Sequence, residues 1–318
     1  MAPAAHWTKL LLTENAKGQG MTERMITNGN VELWTEEFGD PGHPPVLLVM
    51  GSMSQGVLWP DGLVGRLAAA GRRVIRYDHR DTGRSSAIDF EADPYTWADI
   101  KDDVLAVLDA YGIDRAHIVG HSAGGLLGQW IAAEQPERVL SLTVIGSSPL
   151  GRGEGVTLMR ALMGEEPRPG ELPRPNREFI EHFGKAVVSP PAPDRRSQID
   201  FAIETARVLH GPAIPFDEDE QRRLEERIFD RDRDPATVAN HRLAAMSDST
   251  FEPVGALARI EASTLVIEGT HEPAKPGHGA LIAEEIVGAE LLVVEGMGHT
   301  LPPQVHEPLA RAILAHTS

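Results

Sequence analysis

Residues 116–134 read AHIVGHSAGGLLGQWIAAE, and this stretch constrains the fold more tightly than any other in the chain. Ala116 to Gly120 is a short apolar run, as expected of a strand buried on both faces. Ala123 to Glu134 reads as a helix. Between them, Gly120, Ser122 and Gly124 form G-x-S-x-G. The five-residue pattern is weak alone but specific when it joins a buried strand to a helix. A serine at that point sits on a sharp, strained turn, and the flanking glycines leave room for helix and strand to approach closely. The turn lifts the Ser122 hydroxyl clear of the sheet. The helix N-terminus behind it presents N–H groups, that of Ala123 among them, to a developing negative charge. Without that context the same letters describe a glycine-rich turn with a capping serine.

The rest of the chain supplies the context. "VELWTEEF" (31–38) alternates like an edge strand, and "VLLVM" (46–50) is a continuous apolar run. "RRVIRYDHR" holds a strand ending at Asp78, and "LSLTVIG" (140–146) another. Helical spacing appears over 62–70 and 98–111. Alternating strands and helices predict an α/β fold with a mostly parallel sheet and right-handed crossovers. The alternation stops near Pro149 and resumes with "STLVI" (263–267) and "AELLVVEG" (289–296), then a last helix from about Pro308. Residues 151–249 therefore read as a mainly helical cap inserted into a core of 21–150 and 250–318. Residues 1–20 read as a loose N-terminal extension. Within the cap, "DEDEQRRLEERIFDRDRD" (217–234) reads as a solvated helix face with i,i+4 pairs such as Glu218 with Arg222.

Composition narrows the function classes. The 318-residue chain carries a formal net charge of −17, which disfavours nucleic acid and anionic membranes as partners. It has no cysteine, which excludes disulfides, thiolate catalysis and Cys-ligated metal sites and fits a reducing cytoplasm. No segment reaches the ~18 apolar residues that a membrane helix needs. Leu10 to Leu12 is too short for a signal-peptide core. No cofactor and no metal is implied, and the expected partner is a small molecule.

A serine hydroxyl is a weak nucleophile and needs a base. His299 in "VVEGMGHTLP" follows the last strand and has glycine surroundings that suit a ring reaching toward Ser122. His121 should point another way off the turn, His117 lies within a strand, and His306 begins the last helix as a cap or a solvated residue. For a serine on such a turn the expected chain order is serine, acid, histidine. The acid should then lie in "IEGTHEPAKPG" (267–277), where Glu268 and Glu272 both qualify and His271 and Lys275 are plain loop residues. A second oxyanion donor should come from "MGSMSQG" after the strand 46–50, with the Ser52 N–H favoured and that of Met53 second.

The stretches "LLVMGSMS", "VIRYDHRDTGRSS", "VLDAYGIDRAHIVGHSAGG", "TLVIEGTHEP" and "GMGHTLP" resemble the α/β-hydrolase family. Within it, the chain from about residue 21 is similar to the anthracycline methyl-ester hydrolases of the aclacinomycin methylesterase type. The resemblance implies Ser122 as nucleophile, His299 as base, and the Ser52 and Ala123 N–H groups as oxyanion hole. The family's acid, usually Asp in G-x-x-D, falls at Glu272, a departure in residue type. Hydrolysis of a bulky natural-product ester follows, either a polyketide methyl ester or a macrolide lactone. A perhydrolase, a C–C hydrolase or a non-catalytic receptor on the same fold are the alternatives. Met53, Trp59, His121, Met159, Met163 and Phe183 are expected to line the substrate pocket.

Overall fold

The computed structural model describes residues 21–247 and 253–318, so the expected extension over 1–20 and the cap boundary at 249 lie outside the described residues. In chain order the strands are β1 (Thr22–Asn28), β2 (Val31–Phe38), β3 (Pro45–Val49), β4 (Arg73–Tyr77), β5 (Ala116–His121), β6 (Val139–Ile145), β7 (Ser263–Gly269) and β8 (Glu290–Val294). They form one sheet in the order β1-β2-β4-β3-β5-β6-β7-β8. β1–β2 and β2–β4 are antiparallel, and every later pairing is parallel.

The apolar runs explain the middle of the sheet. Val46, Leu47, Leu48 and Val49 are all fully buried, which only a strand covered on both faces permits. Successive side chains alternate between the faces. Leu47 and Val49 join a core with Ile100 and Val104 of α2 (Trp97–Ala110) and with Leu127 and Ile131 of α3 (Ala123–Glu134). Val46 and Leu48 join a second core with Leu63 and Leu67 of α1 (Asp61–Ala69). The last helix closes that second core with Leu309 and Ile313.

Three expectations are corrected. Residues 31–38 are not an edge strand, because β1 covers them; β1 has one buried residue, Ile26, so its pattern is too polar to reveal a strand. The last helix begins at Pro303 rather than Pro308 and carries Pro308 inside it. Proline fits the first position of a helix, and Pro303 takes that place. His306 is consequently neither a cap nor solvated: it is buried, and its Nε2–H donates to the Leu301 carbonyl at 3.0 Å.

Between β6 and β7 come α4 (Glu154–Leu162), α5 (Arg177–Val188), α6 (Arg195–His210), α7 (Glu218–Arg231) and α8 (Asn240–Ser247). α9 (His278–Glu285) and α10 (Pro303–His316) follow in the final third. Asn176, Asp194 and Asp217 each cap the helix that follows by accepting a backbone N–H at its first turn. No helix among the described residues is long and apolar enough to cross a membrane.

Candidate active site

Ser122 occupies φ 54°, ψ −123°, a conformation that a non-glycine residue holds only under constraint. The constraint is local close packing. A Cβ on Gly120 would collide with the Gly124 carbonyl, and one on Gly124 would collide with that of Val49 on β3. Ser122 N–H donates to Ile145 O at 2.9 Å, tying the turn to β6. Glycine at both places lets α3 sit against the strand ends, so that its N-terminus lies beneath the serine. Ala123, the first residue of α3, has an N–H with no intrahelical acceptor by position.

His299 and Glu272 meet across the ends of β8 and β7. His299 Nδ1 donates to Glu272 Oε2 at 2.8 Å, with the carboxylate almost wholly buried. The other oxygen, Oε1, accepts the N–H groups of Ala274 at 2.9 Å and Lys275 at 3.2 Å. Burial alone raises the Glu272 carboxyl. The His299 charge and hydrogen bond and the Ala274 N–H outweigh it and hold the group below the usual glutamate range. Glu268, four residues earlier, is committed elsewhere. It accepts the N–H groups of Gly277 and Gly279 at 2.5 Å each, at the start of α9. The structure thus brings Glu272, and not Glu268, to His299.

The loop carrying His299 is held on three sides. Its N–H donates to Leu209 O, near the end of α6, at 2.7 Å. Its own carbonyl accepts His121 Nε2–H at 2.8 Å. A Cβ on Gly298 would collide with the carbonyls of His210 and Leu209. Burial, then the neighbouring His299, depress the His121 pKa to about 3, so its ring is neutral and acts as a strut. No hydrogen bond joins Ser122 Oγ to the His299 ring among the described residues, but both residues line one cavity. In ligand-free sites this bond is often long and tightens only when substrate binds.

The loop after β3 completes the arrangement. Gly51 lies against Ser122: a methyl group in place of its hydrogen would fall 3.1 Å from the serine Cβ. Met53 has φ 61° and gives its N–H to His241 Nδ1 at 2.9 Å, which removes it as a free donor. The Ser52 N–H has no acceptor among the described residues. Ser52 and Ala123 thus each carry, beside Ser122, a backbone N–H with no acceptor among the described residues.

The cavity above Ser122 has a volume of about 710 Å³. Met53, His121 and Phe183 line it, together with Leu158, Phe179 and Leu209. Three expected pocket residues do not. Trp59 is fully buried in the core beneath, its ring edge-on to His121 with centroids 6.2 Å apart. Met159 and Met163 are mostly exposed, because α4 turns Thr157 and Ala161 inward and leaves the methionines on its outer side.

Sequence reasoning missed three features of this site. The acidic run of α7 does form surface ion pairs, among them Arg222 with Glu218 at 3.7 Å, but its other face lines the cavity through Gln221, Leu224, Glu225 and Ile228. A three-in-seven apolar spacing at Leu224, Ile228 and Phe229 was the available signal. Lys275 is no plain loop residue: it is buried and paired with Glu154 of α4 at 2.5 Å. Nothing in the sequence pointed to His241.

A serine on a strained strand-to-helix turn, a carboxylate–histidine pair and two such backbone donors around one cavity make an arrangement suited to nucleophilic hydrolysis. The α/β-hydrolase fold profile matches residues 44–302, and the chain belongs to that family. It is 42% identical over 312 residues to a rhodomycin D methylesterase of Streptomyces sp. strain C5, covering 93% of this chain and 98% of the relative. It is 41% identical, with the same coverage, to the rhodomycin D methylesterase of Streptomyces peucetius. Among solved structures, an esterase from Exiguobacterium antarcticum superposes with a TM-score of 0.72 at 17% identity, covering 93% of this chain and 99% of that one. The resemblance to methyl-ester hydrolases read from the motifs is thereby borne out.

Proposed function

We propose that the protein hydrolyses a methyl ester of a bulky polyketide-type natural product through an acyl-enzyme on Ser122. The observation that carries this reading is the Glu272–His299 hydrogen bond of 2.8 Å on the cavity that Ser122 also lines. Ser122 Oγ attacks the ester carbonyl while His299 Nε2 takes its proton. The carbonyl oxygen becomes an oxyanion between the Ser52 and Ala123 N–H groups. His299 then protonates the departing methoxide oxygen, methanol leaves, and Ser122 keeps the acyl group. A water molecule gives a proton to His299 as its oxygen bonds the acyl carbon; the bond to Ser122 Oγ then breaks, His299 returns the proton to that oxygen, and the carboxylic acid leaves. Glu272 holds the ring's tautomer and stabilises its charged form throughout.

The cavity volume of about 710 Å³ supports a large acyl part, since a methyl group needs only a small fraction of it. Phenylalanines 179 and 183 with Leu158 supply flat apolar surface for fused rings. The close relatives are methylesterases by name, which supports methanol as the leaving group.

The test is mass spectrometry of the protein incubated with an anthracycline methyl ester and, separately, with macrolides. The expected product has lost the mass of one methylene, with no change in the macrolides. A macrolide that gains one water while the methyl ester survives would replace this reading with lactone opening.

A further inference from the structure

The loop that follows β3 is gripped at both ends by buried histidines from distant parts of the chain. At its start the Met50 carbonyl accepts His79 Nε2–H at 2.9 Å, and the other ring nitrogen of His79 faces the Tyr77 hydroxyl at 3.2 Å. At its far end Met53 N–H donates to His241 Nδ1 at 2.9 Å. His241 Nε2–H in turn donates to the Arg80 carbonyl at 2.8 Å. These partners dictate the proton's place. A backbone N–H only donates and a carbonyl only accepts, so His241 must be neutral with its proton on Nε2. Burial, then the adjacent His79, hold its pKa down at about 3, in keeping with that state.

The two rings meet edge to face with centroids 5.9 Å apart. His241 is fully buried, although it belongs to α8 and is separated from Met53 by 188 residues. Its neighbour Asn240 fixes the helix start, donating to Asp81 Oδ2 at 3.1 Å and to the Ile88 carbonyl at 3.0 Å. The first turn of α8 is thus anchored to the same core loops as the ring. Met53 meanwhile sits in the left-handed region at φ 61°, which an unbranched side chain tolerates only when its surroundings enforce it. The His241 bond acts on the peptide between Ser52 and Met53, immediately after the Ser52 N–H.

We infer that His241 is a positioning residue for the oxyanion hole: by fixing the Ser52–Met53 peptide it aims the Ser52 N–H at the ester oxygen. It touches no substrate and acts only through the loop. The inference rests on the esterase reading above. It makes the helical insertion part of the catalytic geometry, beyond its part in enclosing the substrate.

The test compares His241→Phe, which keeps a ring and loses the acceptor, with His241→Asn, whose side-chain oxygen can stand in for Nδ1. Each is assayed for kcat and KM on a methyl ester, for the ratio of ester to thionoester turnover, and for affinity toward an alkylboronic acid. Sulfur accepts hydrogen bonds weakly, so a thionoester loses less when the hole is misaimed. In His241→Phe we expect kcat to fall by about tenfold to a hundredfold with KM within about twofold. The ester-to-thionoester ratio and the boronate affinity should fall with it, and His241→Asn should restore most of the loss. Equal losses on ester and thionoester, or no recovery in His241→Asn, overturn the inference, because a general structural role would give that result. If His241→Phe does not fold, the intact enzyme still decides. Boronate binding should shift the ¹⁵N resonance of His241 Nδ1 as the Met53 bond tightens, and an unmoved resonance overturns the inference. Ester turnover at the parent rate in Ser122→Ala would instead remove the serine reading itself, a failure independent of any result at His241.

Discussion

Glu268 and Glu272 carry the same group four residues apart, and their surroundings separate them. Glu268 spends both oxygens on the start of α9, at Gly277 and Gly279. Glu272 gives one oxygen to backbone N–H groups and the other to His299. Glu272→Gln should therefore lower kcat by about 10³-fold or more, through loss of the tautomer and of charge stabilisation, as removal of a triad acid does elsewhere. Glu268→Gln should leave kcat near the parent value and lower thermal stability instead. A steady-state comparison of the two variants decides, and crippled turnover in Glu268→Gln alone would reverse the assignment. Because Glu272 is held below its ordinary range, its stabilising effect is fully present above the unfolded glutamate value of about 4.3. It is lost as pH falls through the lower folded value. Parent and Glu272→Gln should accordingly converge in stability on strong acidification.

At the scale of elements, the decisive feature is where helices of the insertion touch the loops around Ser122 and His299. The end of α6 meets the His299 loop through Leu209, His210 and the bare backbone of Gly298. Gly298→Ala puts a methyl group into two carbonyls, so it should cost turnover by about tenfold or more while Ser122 stays intact. Labelling of Ser122 by a phosphonate, slowed in step with kcat, would report the displaced histidine; an unchanged labelling rate would refute the link. A second seam lies at the end of α7, where Asp232 accepts the Gly83 N–H at 2.6 Å and the Gln55 amide at 2.8 Å. Burial pushes Asp232 up to about 6 against the pull of those two donors. Its unfolded value is about 3.9, so between the two the folded state holds a proton that the unfolded state has released. Stability then falls as pH rises through that window and stays lower above it. Asp232→Asn should gain about 1 kcal/mol near pH 8, after allowance for its partial exposure, and nothing near pH 4. Urea unfolding at the two pH values checks this, and a pH-independent difference would contradict it.

For the whole molecule, the division into a core of 21–150 and 250–318 and a cap of 151–249 remains a proposal about architecture. Its seams are numerous: Asn240 and His241 from α8, Arg231 from α7 and Asp232 just after it, and Leu209 from α6 all bind core loops. We expect core and cap to unfold together, in one calorimetric transition whose midpoint rises with an alkylboronic acid. Two resolved transitions would show a cap that folds separately.

Much of this was legible because it is local. The alternation of strand and helix, the strained serine between its glycines and the order serine, acid, histidine are written in neighbouring residues and their spacing. So is the buried character of Val46 to Val49, since an unbroken apolar run has few other places to go. β1 escaped notice because an edge strand needs little apolar surface, and the inner face of α7 because ion pairs dominate its composition. Spacing alone left Glu268 and Glu272 open, and only the resemblance, through its G-x-x-D place, favoured Glu272; the physical reason lies in which backbone donors reach each carboxylate, and that only the fold decides. Met159 and Trp59 were misplaced for the same reason: an apolar side chain records a need for burial but not the side on which burial occurs. His241 stands furthest from the sequence's reach. Its role exists only because folding brings residues 53 and 241 within 2.9 Å, and no pattern in one chain records a contact across 188 residues.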